Sequence, residues 1–124
     1  MLEIDRAYVG MGLLWAVVGM LLGLYMGIAE DNKLLTVHVA MMTSGFVMLA
    51  LFGMVYRLWP ALKKSPLAPA QFWITALGVA GLIVGSYFLV TAGSVPLAAI
   101  SSVAMIVGAA LMSWMFIARG REAT

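Results

Sequence analysis

The chain has 124 residues, of which 65% are hydrophobic and only 10% charged, with a mean hydropathy of +1.09. Soluble domains average roughly 45–50% apolar and 25% charged residues, so this composition excludes an ordinary soluble domain, and the length leaves room for one compact unit. Cysteine is absent, which excludes disulfides, iron–sulfur clusters and thiolate zinc sites. The net charge of +2 sits at segment ends, where membrane topology explains it without a nucleic-acid partner.

The expected fold is all-α: an integral membrane, antiparallel four-helix bundle forming a single domain. A helix needs about 20 apolar residues to cross a bilayer core, and residues 7–29, 34–58, 71–90 and 96–118 meet that test. The first run follows a leader with Glu3, Asp5 and a single Arg6. It lacks a positive n-region and exceeds a signal-peptide core of roughly 7–15 residues, so a retained span is expected. Glu30-Asp31-Asn32-Lys33 separates it from the second span, with Asp31 or Asn32 as candidate N-cap. Residues 60–69 (PALKKSPLAP) read as a proline-marked polar loop. Residues 91–95 form a tight turn, after which Ser94 can cap and Pro96 starts the last helix. In lipid the backbone must satisfy its own hydrogen bonds, which makes these segments helices.

Positive charge sets the orientation. With both termini cytoplasmic, Arg6, Arg57, Lys63, Lys64, Arg119 and Arg121 lie inside and only Lys33 lies outside. The expected location is the cell inner membrane. Trp59, Trp73 and Trp114 fall near cytoplasmic ends as interfacial aromatics, while Trp15 either packs within the bundle or faces lipid. Gly12, Gly19, Gly23 and Gly27 on the first helix, Gly78, Gly81 and Gly85 on the third, and Ala98, Ser101, Ser102, Ala104, Gly108 and Ala109 on the fourth form small-residue stripes for close helix packing. A sharper reading is that some of these glycines make room for a flat cofactor. The 11 methionines read as apolar filler.

The only histidine, His38, stands about one turn inside the outer end of the second span. At 100° per residue it shares a face with Met42, Gly45, Leu49, Phe52, Gly53 and Tyr56. An ionisable ring in a span is costly and faces the bundle interior. It is either satisfied by a hydroxyl on a neighbouring helix or is a ligand, histidine being a common haem-iron ligand. In the second case the gap at Gly45, two turns below, could accept a porphyrin plane, with Phe52 and Tyr56 as aromatic walls.

The stretch LLTVHVAMMTSGFVMLALFGMVYRLWP (34–60) resembles the second transmembrane helix of the catalytic subunit I of the haem–copper oxidase superfamily, in particular the cytochrome c oxidase and nitric oxide reductase large subunits. The matching residues are His38, Gly45, Gly53, Tyr56 and Pro60, and residues 10–30 are loosely similar to the first helix. The resemblance implies that His38 is an axial ligand of a low-spin haem b. It covers about half the chain. The family's subunit has twelve spans in three arcs of four, so this chain resembles one arc. The family core uses six histidines against one here, so oxygen or nitric oxide reduction at a haem–copper centre is not expected. The family's paired arginines for haem propionates are also missing, and Lys33 is the one outer-side cation left for that role.

The expected function is therefore a small haem b membrane protein for electron transfer or gas binding, with His38, Met42, Gly45, Tyr56 and Lys33 as cofactor-binding residues and His38 as the metal ligand. Three coordination schemes are open. Two protomers each give a His38 to one haem; Met41 or Met42 supplies the second ligand; or the iron stays five-coordinate and binds a gas. Expected partners are the lipid bilayer, further copies in a dimer or trimer, and a quinol or cytochrome electron partner. The alternative is a haem-free accessory subunit of a membrane respiratory complex. A transporter is disfavoured because the spans hold no buried carboxylate, lysine or arginine and no Gly/Pro-broken helix pair, and acid–base or nucleophilic catalysis lacks a base partner beyond His38 itself.

Overall fold

A computed structural model describes residues 3–119. All regular structure among these residues is helical: α1 (Ile4–Ala29), α2 (Leu35–Leu58), a 3-10 turn (Pro60–Lys64), α3 (Ala68–Ala92) and α4 (Pro96–Arg119). All four long helices are long and apolar enough to cross a membrane.

The boundaries follow from local chemistry. Glu30 takes a left-handed conformation (φ 51°) after α1, and its N–H bonds back to the Met26 carbonyl. Asp31 does not cap α2. Its carboxylate accepts the Lys33 backbone N–H at 3.0 Å, and the helix opens at Leu35 behind Leu34, without a side-chain cap. Pro60 ends α2 by forcing Trp59 out of helical geometry (φ −123°, ψ 75°). The expected loop over residues 60–69 is shorter than the prolines suggest: the Ser65 hydroxyl accepts the Leu67 N–H at 3.2 Å, and α3 begins at Ala68 with Pro69 in the first turn, where proline lacks no needed donor. Gly93 (φ 65°) stops α3, its N–H held by the Leu89 carbonyl. The middle of α2, Met41–Met48, is a π-helical segment, an irregularity often found at functional positions.

Glycines set the helix contacts. A Cβ on Gly85 would stand 2.6 Å from the Ala98 nitrogen, and one on Gly78 3.0 Å from Met105; Gly81 meets Ser101 and Gly108 meets Thr75. Numbers rise along α3 as they fall along α4, so the two run in opposite directions. On the other side Gly12 meets Phe46 and Ala50, Gly19 meets Met42, Gly23 meets His38, and Gly53 meets Tyr8 and Val9, again in opposite sense. These glycines are therefore used for packing, with Gly27 open. The two helix pairs join through Val37, Val79 and Ile83 in one half and Tyr8, Tyr56, Met112 and Met115 in the other.

Candidate functional site

His38 lies on the first full turn of α2, half-buried against α1. Its Nδ1 is 2.8 Å from the Gly19 carbonyl oxygen. A carbonyl only accepts, so Nδ1 carries the proton and donates, and the neutral ring keeps its lone pair on Nε2. Gly23 makes room for the ring: a Cβ there would come within 2.9 Å of Cε1. Among the described residues the one buried side-chain nitrogen or oxygen without a hydrogen-bond partner is Asp5 Oδ1. His38 Nε2 also makes no bond, so it reaches the surface of the chain.

The other expected site residues do not gather around this ring. Met42 lies one turn further on, its sulfur seated against Gly19. The gap expected at Gly45 is filled: a Cβ there would stand 2.8 Å from Cβ and Cγ of Trp15, which packs inside the helix pair. A porphyrin therefore has no space beneath His38 at that position. Tyr56 is 18 residues along α2, about 27 Å away at the helical rise, and is fully buried among other partners. Lys33 is exposed in the turn before α2, near His38 in sequence.

Tyr56 belongs to a polar cluster that its apolar surroundings hid in the sequence. Tyr8, Tyr56, Gln71 and Thr75 are all fully buried. The Tyr8 and Tyr56 hydroxyls both donate to Gln71 Oε1, at 2.5 and 3.0 Å. Gln71 Nε2 donates to Thr75 Oγ1 at 3.2 Å and to the Gly108 carbonyl at 3.0 Å. One amide thus ties all four helices. The tyrosine rings stack at 5.8 Å, and Phe72 meets Tyr8 edge-on at 4.9 Å. A tyrosine early in α1, one late in α2 and a glutamine early in α3 stand at one level of the packed helices, and polar side chains at such matching ends of apolar runs are the signal that could have found them.

At the same end Asp5, 2% exposed, faces Lys63 at 3.2 Å and Arg57 at 3.3 Å, and Lys63 also reaches Glu3 at 2.8 Å. The Glu3 hydrogen bond, helped by Asp5, holds the Lys63 ammonium charged above the usual lysine range despite its partial burial. The cluster pins the start of α1 to the end of α2 and the turn that follows.

A bare structural metal ion takes about four protein ligands. Among the described residues no group of three or more His, Asp, Glu or Cys side chains could hold one. A porphyrin brings four nitrogens of its own and asks the protein for one or two ligands, which a lone histidine can meet. A ligating histidine normally donates its other N–H to a carbonyl or carboxylate, which fixes tautomer and ring orientation; the Gly19 bond has that form. Comparisons with protein families, with curated proteins and with solved structures each found no match.

Proposed function

We propose that this chain is an integral membrane haem b protein in which His38 Nε2 is an axial iron ligand. The observation that carries the reading is the Nδ1–H bond to the Gly19 carbonyl, which leaves an oriented, unbonded Nε2 at the chain's surface. Haem b, when bound, supplies one-electron redox chemistry or gas binding at iron. The chain's own contribution is to hold the imidazole in the right tautomer, to leave space for the ring at Gly23, and to surround it with apolar side chains that exclude water. The reading keeps the one-arc likeness to haem–copper oxidase subunit I. It places the porphyrin on the flank of the α1–α2 seam in place of the space at Gly45. A quinol or a cytochrome is the proposed electron partner.

We place the chain in the inner membrane as an antiparallel four-helix bundle with both termini cytoplasmic. Two things support this. The best apolar windows of the four helices are only 22 to 39% buried, so most of a strongly apolar surface faces outward, and a helix apolar all round belongs in an apolar medium. Trp73 and Trp114, 60 and 63% exposed, stand toward the basic end, as interfacial aromatics do.

The test is a visible spectrum of the detergent-purified protein, oxidised and dithionite-reduced. A Soret band with an unsplit haem b alpha band, lost in His38→Ala, is expected. A colourless preparation from haem-replete cells refutes the reading. A haem-free accessory subunit is the second reading, since the Gly19 bond alone satisfies half of the ring's polarity; the colourless result is what that reading expects.

A further inference from the structure

We propose that one haem is shared by two copies of this chain, each giving His38 Nε2 to one of the two axial positions. This rests on the haem reading above. It chooses among coordination schemes by geometry.

Axial ligands approach iron from opposite faces of the porphyrin, along one line. Met42 is four residues from His38 on the same helix, so both side chains leave the same face, stacked one above the other. They cannot stand on opposite sides of one porphyrin without the plane cutting α2. Met42 sulfur is moreover seated on Gly19, the residue that anchors His38. Met41 turns elsewhere: with Val37 it lines the cleft of about 500 Å³ shared with Ile83 and Val84 of α3. The chain has no second histidine and no cysteine. Neither Met41 nor Met42 is therefore placed to fill the position opposite His38.

The flank on which His38 lies decides what can. Val37 and Met41 face α3. His38 and Met42, each the next residue in the chain, lie roughly 100° further round, on the side of the α1–α2 seam turned away from α3. Beside them Leu35, Val39 and Met20 are exposed, and Gly27 has open space in front of it. The ring thus opens laterally from the bundle, where a second copy can approach about a two-fold axis, and a two-fold contact presents the same patch from both sides.

The propionates ask for cations. A haem carries two propionates. Among the described residues Lys33, five before His38, is the only cation at this end, and it forms no ion pair there. Glu30 and Asp31 lie beside it, so one chain offers a dianion a net negative end, although the Asp31 carboxylate is taken up by the Lys33 backbone N–H. Two copies bring two lysines, one for each propionate, but also two Glu30 and two Asp31, so the gain is two local ion pairs and not a net positive end.

The experiment measures haem per chain by pyridine haemochrome, together with the mass of the haem-bearing particle in detergent. One haem per two chains is expected, in a dimer, with a low-spin spectrum that carbon monoxide does not change. Lys33→Glu is expected to lower haem occupancy and dimer fraction together with helix content unchanged, which covers the case in which His38→Ala fails to fold. One haem per chain, or a spectrum that shifts with carbon monoxide, overturns the shared site and leaves the haem reading standing. A preparation without haem overturns both.

Discussion

Gln71 is the side chain on which the fold should depend most. Replacing it with leucine keeps the volume close and removes four hydrogen bonds, to Tyr8, Tyr56, Thr75 and Gly108. Hydrogen bonds between helices in a membrane average about 0.6 kcal/mol, or about 1.8 kcal/mol for the three that cross helices, the Thr75 bond lying within α3. A buried group left without a partner costs more, about 1–3 kcal/mol. That penalty falls chiefly on Tyr56, whose other contact is the Met115 sulfur at 4.0 Å, whereas Tyr8 keeps the Gln71 main-chain carbonyl at 3.3 Å. Relief of the amide's own desolvation offsets part of the loss. The net expectation is a destabilisation of about 2–3 kcal/mol, read by circular dichroism during unfolding in mixed micelles of increasing SDS fraction. Tyr56→Phe alone should cost about 0.5–1.5 kcal/mol. Made on the Gln71→Leu background it should instead restore about 1 kcal/mol, because it removes the orphaned hydroxyl. If Gln71→Leu unfolds with the parent, or if the two losses simply add, the cluster is not the tie that its geometry implies.

Three further outcomes follow from other contacts. Gly85→Ala should destabilise strongly, because its Cβ would meet the Ala98 backbone at 2.6 Å and backbone cannot swing aside; Gly10→Ala, with nothing within 4 Å, is the matched control in the same unfolding assay. The Lys63 ion pairs should make stability fall at alkaline pH. With its affinity for the proton raised, Lys63 contributes fully below the ordinary value of 10.5, and the contribution is lost as pH rises through the higher folded value; Lys63→Met should flatten that slope in pH-dependent unfolding. A reporter active only in the cytoplasm should be active when fused after residue 124 and inactive when inserted at Asn32, and the reverse pattern refutes the orientation.

The helices were legible because hydropathy and length are averages over some twenty residues, which no single contact can overturn. Their ends were less so. Asp31 has the chemistry of a cap, but its carboxylate is spent on Lys33 inside the turn. Pro69 has the chemistry of a breaker, but it stands in a first turn, where it breaks nothing. His38 was visible as the one titratable ring in an apolar run. The face counted from it at 100° per residue does group buried positions, since Gly45, Leu49, Gly53 and Tyr56 are all buried. Burial on one face is still not membership of one site. Rise separates the members, Trp15 claims Gly45, and Gln71 claims Tyr56. The π segment at Met41–Met48 slips the wheel within that very stretch. Gln71 itself was missed because a polar residue at the margin of a hydrophobic run reads as an end of the span, and its partner Tyr8 is 63 positions away.

The anchor of His38 is backbone, so no side chain can be deleted to test it, but Gly23 offers a lever. A methyl there would stand 2.9 Å from Cε1, closer than such contacts allow, with Nδ1 and Nε2 at 3.4 and 3.6 Å, and α1 backbone on one side leaves the imidazole as the group that must move. A swing large enough to relieve the contact lengthens the 2.8 Å bond to Gly19 and frees the tautomer. Loss of a group that orients a metal ligand typically lowers affinity about 10–100-fold, so Gly23→Ala should weaken haem binding by that order, measured by haem titration of the apoprotein. Gly10→Ala, on the same helix with nothing within 4 Å, should leave haem affinity nearly unchanged, which separates the effect of ring position from that of merely adding a methyl to α1. If Gly23→Ala binds haem as the parent does, with the same Soret position, then His38 is not held for iron by α1, and its bond to Gly19 is only the satisfaction of a polar ring in an apolar helix pair.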